Sequence, residues 1–208
     1  MKSANNWIKC HCWVCGFTIG KNTSSNIAFS VMVDSCSPQS SNVFFGTHSM
    51  RAFFMVWIMI EKDKTAVFIG NRDCYRIDKA KIKTAIIEAI ESGITCFLNG
   101  GQGYFDKTCA MTLHGLKTRY LNIWSILVIP YRDFWIFNKD IFDEIIYPFE
   151  PRIESLLNYK SAIPLRNRVM VESASVAICY VERVGGGSWK TLKYAKSQNL
   201  IIIDLTQK

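Results

Sequence analysis

Three short segments of this 208-residue chain combine glycine with residues that bind anions. They are Gly70-Asn71-Arg72-Asp73, Gly100-Gly101-Gln102-Gly103-Tyr104-Phe105-Asp106 and Gly185-Gly186-Gly187-Ser188. Glycine lets a backbone pass close to a ligand and aim free N–H groups at it. A helix that starts directly after such a turn adds roughly half a positive charge at its amino end. Gly100, Gly101, Gly186 and Gly187 are therefore expected to cradle a phosphate. Arg72 offers a bidentate clamp for the same group, or a surface ion pair with Asp73. Asp106 suits a ribose hydroxyl, or the capping of a helix near its start.

Other residues fit less distinctly. Arg166 and Asn167 follow a loop and can line the same cleft, with helix capping by Asn167 as the simpler account. Tyr131 and Trp135 can stack on a base or pack as a lid. His114 has no nucleophile near it and reads as structural. Cys10-His11-Cys12-x-x-Cys15, with Cys36 or His48 downstream, makes one half of a zinc site, but a second paired knuckle is missing and no metal is expected. The dinucleotide fingerprint and the Walker A pattern are both absent. An ordinary NAD dehydrogenase or phosphate-loop NTPase is thereby disfavoured.

The elements that must hold these residues change character near residue 59. Before it, Ser, Asn and Cys are frequent and periodicity is poor. After it, short apolar runs at 65–69, 94–98, 123–129, 175–181 and 200–205 read as strands. Amphipathic stretches at 78–92, 105–120, 139–146, 167–174 and 188–198 read as helices. Near-continuous apolar strands, each running into a helix or a Gly-rich turn, indicate a parallel sheet covered on both faces. The expected fold is α/β: a Rossmann-like three-layer domain over 59–208 with a mostly parallel five-stranded sheet. Ligands bind such sheets outside the carboxyl ends of the strands, where all three glycine segments fall. Residues 1–58 read as a poorly structured extension, because Met59 looks like a natural start.

Composition narrows the class. Hydrophobic residues make up 49% of the chain, too many for wholesale disorder. The longest apolar run, Ala52 to Ile60, is nine residues, whereas a membrane span needs roughly 20, so no membrane partner is expected. The net charge of +8 admits an anionic partner without selecting one. Through Ile58 only Lys2, Lys9, Lys21 and Arg51 are basic and only Asp34 is acidic, leaving about +5 for the remainder. No block of consecutive basic residues suggests a nucleic-acid-binding tail. Cys74, Cys96, Cys109 and Cys179 sit singly among apolar residues, as reduced core cysteines do, which favours a cytoplasmic setting.

Taken in order, the segments resemble the YpsA-like branch of the SLOG superfamily, named for the SMF/DprA and LOG proteins. The resemblance rests on Gly70-Asn71-Arg72, on Gly100 through Asp106, on the stretch from Pro130 to Trp135, on Arg166-Asn167 and on Gly186-Gly187-Ser188. Two departures stand out: Asn71 replaces the usual His, and Ser188 the usual Thr. What the resemblance implies is a Rossmannoid domain that binds a nucleotide or nucleotide-derived ligand as a sensor, with no cofactor and no assigned catalytic residue. Its implied ligand-binding set is Gly70, Asn71, Arg72, Gly100, Gly101, Gly103, Asp106, Arg166, Asn167, Gly186, Gly187 and Ser188.

Two alternatives stand beside it. The LOG enzymes release a base from nucleoside 5′-monophosphates, but their glutamate after the last glycine turn is missing here, leaving Asp106 and Glu172 as candidate acids. The DprA relatives suggest single-stranded DNA binding, which is not favoured. Homo-oligomerisation is left open.

Overall fold

A computed structural model describes residues 7–11, 18–22, 60–136, 138–149 and 159–207. The chain divides into two compact units, Met1–Gly46 and Thr47–Lys208. In the first, β1 (Trp7–His11) and β2 (Thr18–Asn22) pair antiparallel, with Trp7 opposite Asn22 and His11 opposite Thr18. These strands fall inside the segment expected to hold little structure. Cys10 and His11 belong to β1, whereas Cys12, Cys15, Cys36, His48 and Met59 lie outside the described residues.

In the second unit the order is β3 (Thr65–Gly70), α1 (Lys79–Glu91), β4 (Cys96–Asn99), α2 (Gly103–Leu116), β5 (Trp124–Val128) and β6 (Glu144–Ile146). It continues with α3 (Tyr159–Glu172), β7 (Val176–Tyr180), α4 (Gly187–Ser197) and β8 (Ile201–Asp204). The strands form one parallel sheet in the order β6-β5-β4-β3-β7-β8. Alternate residues of β3 supply the two layers. Ala66 and Phe68 meet Ile82, Ile86, Phe105 and Cys109 of α1 and α2. Val67 and Ile69 meet Met170, Val171, Leu192 and Ala195 of α3 and α4. A third cluster, from Leu127 to Phe142, closes the β5 end against Ala110. Among the described residues, no helix is long and apolar enough to cross a membrane.

The sheet has six strands rather than the five expected, and the sixth replaces a helix. Lys139 to Ile146 reads as helical in the sequence, yet only Lys139–Ile141 coils, as a single 3-10 turn, and Phe142 is already extended. Asp143 then fixes the edge strand. Its backbone N–H donates to the Ser125 carbonyl at 2.9 Å, and its carboxylate accepts from the Ser125 N–H at 2.7 Å and from Lys117 at 2.5 Å. A three-residue strand is too short to show a period of two, so the sequence pattern misassigns it.

The second correction concerns α3. The expected short helix over 167–174 is instead Tyr159–Glu172 and runs through Pro164. Proline removes an amide donor and crowds the carbonyl four residues earlier, which is why the segment reads as a loop. Cys74, Cys96, Cys109 and Cys179 are buried free thiols, as expected. Burial pushes Cys74 and Cys96 up to about 11 and Cys179 to about 12, so all three stay protonated and unreactive near neutrality.

Candidate functional site

The topology places a crevice at one point of the carboxyl edge. From β3 the chain passes through α1 to β4 on one side; from β7 it passes through α4 to β8 on the other. Such a switch point parts the two loops and leaves a groove between them. A cleft of ≈ 290 Å³ lies here, lined by the ends of β3, the β3–α1 loop, α3 and the start of α4. That is close to the lower limit of small-molecule sites, about 300 Å³. Gly70, Asn71, Arg72, Gly100, Asp106, Arg166, Asn167, Gly186, Gly187 and Ser188 all line it. Gly101 and Gly103 do not. Gly101 packs toward Leu127 and Ile136 with φ +69, and Gly103, with φ +91, is held against the Arg72 backbone.

Much of the expected donor set is used by the fold itself. The Asn71 side chain accepts from the Glu182 N–H at 2.9 Å, tying the β3 and β7 loops together. Asp73 pairs with Arg183 at 2.8 Å across the same gap, so it is not the partner of Arg72. The Ser188 hydroxyl donates to the Gly70 carbonyl at 2.5 Å. In the Gly100 turn, the Gly101 N–H donates to Asn99 at 2.7 Å and the Gln102 N–H donates to Asp106 at 2.8 Å. Those two amides are consumed locally. Asn99 also donates to the Asp106 carbonyl at 2.9 Å, a structural role signalled by a polar residue closing an apolar strand.

What stays open is the amino end of α4. Gly186 is its N-cap, no side chain caps it, and a Cβ placed on Gly186 or Gly187 meets nothing within 4 Å. The first-turn amides of an α-helix have no intrahelical partner, and the dipole there favours an anion. Arg72 faces the same cleft, exposed, and forms none of the ion pairs seen among the described residues.

The floor of the cleft is charged and buried. Arg166 is only 2% exposed. Its Nη1 donates to the Val128 carbonyl at 3.2 Å and lies 3.6 Å from the Met170 sulfur, while Nε has no partner. Burial lowers its pKa to about 10, with Asp106 opposing the shift, so it remains charged at neutral pH. Burial raises the Asp106 carboxyl to about 6, against the Gln102 amide and the Arg166 and Arg72 charges. Both side chains converge on Gly100, where an added Cβ would stand 2.0 Å from Arg166 Nη1 and 3.1 Å from Asp106 Oδ2. With Asp73 and Arg183 paired to each other, Arg72, Arg166 and the amino end of α4 stand against the one remaining carboxylate of the lining, Asp106.

The capping role expected of Asn167 is not found. Asn167 lies inside α3 rather than capping it, and donates to Thr191 of α4 at 3.0 Å. Thr191, one turn into α4, was not singled out in the sequence; it also donates to the Gly187 carbonyl at 3.0 Å. Tyr131 packs edge-on against Phe134 at 5.4 Å and Trp135 is 83% exposed; neither lines the cleft. His114 is on the exposed side of α2. Glu172 accepts from the Tyr194 hydroxyl at 2.5 Å at the far end of α3, next to the amino edge of the sheet. Of the two candidate acids, only Asp106 is at the cleft.

No protein-family model and no curated protein matches the chain. Solved structures do. DNA processing protein A from Helicobacter pylori, studied for its unique single-stranded DNA binding mode, aligns with a TM-score of 0.51 at 15% identity, over 70% of this chain and 66% of that one. DNA processing protein A (DprA) from Streptococcus pneumoniae gives a TM-score of 0.45 at 18% identity, over 70% of this chain and 50% of that one. The chain thus spans just under two thirds of the first and half of the second. The first likeness is one of fold alone: a Rossmann-like α/β domain like that of the Helicobacter pylori protein.

Proposed function

We propose that residues 59–208 form a binding module for a phosphorylated, nucleotide-like small molecule, with the phosphate at the amino end of α4. The observation that carries this is the uncapped start of α4, open at Gly186 and Gly187, facing the same cleft as Arg72. Helix amino ends with free amides bind phosphate through both hydrogen bonds and the dipole. The order of the glycine segments along the chain supports the YpsA-like branch, and with it a sensing rather than a catalytic role. Of the two acids considered for a base-releasing reaction, Asp106 and Glu172, Asp106 is the one that lines the cleft.

The test uses the full chain with a panel of nucleoside mono- and diphosphates, NAD, ADP-ribose and cyclic dinucleotides. Thermal stability and product formation are followed together. A stabilising shift with intact ligand is the expected result. Base release lost in Asp106→Asn moves the protein to the hydrolases. No shift with any compound removes the phosphate reading.

The fold shared with the Helicobacter pylori protein favours single-stranded DNA as the second reading. It predicts binding that weakens steeply with salt as phosphate contacts release counterions. Saturable one-to-one binding of a mononucleotide, weakly salt-dependent, argues against it.

A further inference from the structure

The loop from β3 to α1 carries a feature that the cleft itself does not use. Cys74 and Ile77 are buried, at 2% and 6% exposure. The Cys74 thiol donates to the Asn71 carbonyl at 3.1 Å, and the Ile77 N–H donates to the Cys74 carbonyl at 3.2 Å. Tyr75 lies between these anchors and is turned outward, 71% exposed. Its ring is nonetheless held, edge-on against Tyr104 with centroids 5.0 Å apart at 61°. Tyr104 is the second residue of α2, and its N–H donates to the Arg72 carbonyl at 2.7 Å. The tyrosine pair therefore adjoins Arg72 at the cleft. Arg72 and Arg76 flank Tyr75 in the sequence, and neither forms an ion pair among the described residues.

We infer that Tyr75, backed by Tyr104, is the stacking platform for the base of a nucleotide whose phosphate occupies the cleft; the inference rests on the phosphate reading proposed above. An aromatic face accepts any base, and neighbouring guanidinium groups add cation–π attraction. One platform beside one anion site suits a single free nucleotide. A strand needs further rings along the same edge. Among the described residues the other strongly exposed aromatic rings are Trp124, the first residue of β5 and so at the opposite edge, and Trp135, on the loop after β5, which is the ring to test for a strand.

Isothermal titration of the full chain distinguishes these cases, with AMP, ribose 5-phosphate and an oligothymidylate as probes. Tyr75→Ala is expected to weaken AMP about tenfold, Tyr75→Phe to restore it, and ribose 5-phosphate to be unaffected by either. Unchanged AMP affinity in Tyr75→Ala overturns the platform while leaving the cleft standing. A parallel loss of ribose 5-phosphate overturns it too, because the ring then acts on the fold or the phosphate. If the unaltered protein binds neither AMP nor ribose 5-phosphate, the cleft reading falls and takes the platform with it. Binding of the oligonucleotide without AMP, lost in Trp135→Ala, overturns the free nucleotide in favour of a strand.

Discussion

Gly70 and Gly187 look alike in the sequence, yet a single methyl group separates their roles. A Cβ on Gly70 would stand 2.2 Å from the Phe105 ring, which is fully buried in the core, whereas one on Gly187 meets open space. Gly70→Ala is expected to destabilise the fold by about 1–3 kcal/mol through overpacking, and Gly187→Ala to leave the denaturation midpoint nearly unchanged. Urea unfolding of the two variants checks the contrast. Asp106 supports a second expectation at this scale. Its pKa rises from 3.8 to about 6 on folding, so between those values the folded state holds the proton more tightly than the unfolded chain. Its contribution to stability is thus largest in acid, and is lost as pH rises from about 4 to 6. Asp106→Asn should flatten that stretch of the pH–stability profile, measured by denaturant midpoints at each pH. A profile as steep as that of the unaltered protein would mean that another group titrates there.

At the scale of elements, the amino end of α4 separates stability from binding. Gly186 has extended backbone angles, φ −78 and ψ 178, which suit any N-cap residue. Gly186→Asp supplies the missing cap and a favourable charge, and should raise stability by a few tenths of a kcal/mol, roughly. The same carboxylate sits where the phosphate is proposed to bind, and should weaken binding of a mononucleotide about tenfold or more. Thermal denaturation and titration calorimetry on this one variant read the two effects, which must run in opposite directions. Equal or tighter binding would move the anion away from α4. Helix α3 shows why element boundaries escape a sequence reading. Pro164 signals a stop, but Ala162, Met170 and Val171 bury their side chains beneath the sheet and hold the helix through it. That packing carries Arg166 into the interior, where Val128, 38 residues earlier, supplies its acceptor.

For the whole molecule, the decisive relation is the switch between β3 and β7, which sets the glycine turn of one half beside the arginine loop of the other. A ligand bound there bridges both halves, so it should raise the global unfolding free energy by about 2.7 kcal/mol at a hundredfold excess over its Kd. The shift should persist at high salt for a small nucleotide and collapse for a DNA strand; a thermal melt series across salt concentrations separates the two. Much of this architecture was legible beforehand, for a local reason. Buried parallel strands must be apolar on both faces, so a run such as Thr65–Ile69 announces itself without its partners. Edge strand β6 did not announce itself, because three residues held by Asp143 carry no period. Nor could the sequence say which donors remain free: Asn99 and Asp106 take the Gly101 and Gln102 amides within one turn, and the Gly70 carbonyl takes the Ser188 hydroxyl 118 residues away. The local pattern was enough for the parallel α/β class and for the carboxyl edge as the place of the cleft. The burial of Arg166, the exposure of Tyr75 and the opening at α4 come from contacts between residues far apart in the chain, and only packing brings those together.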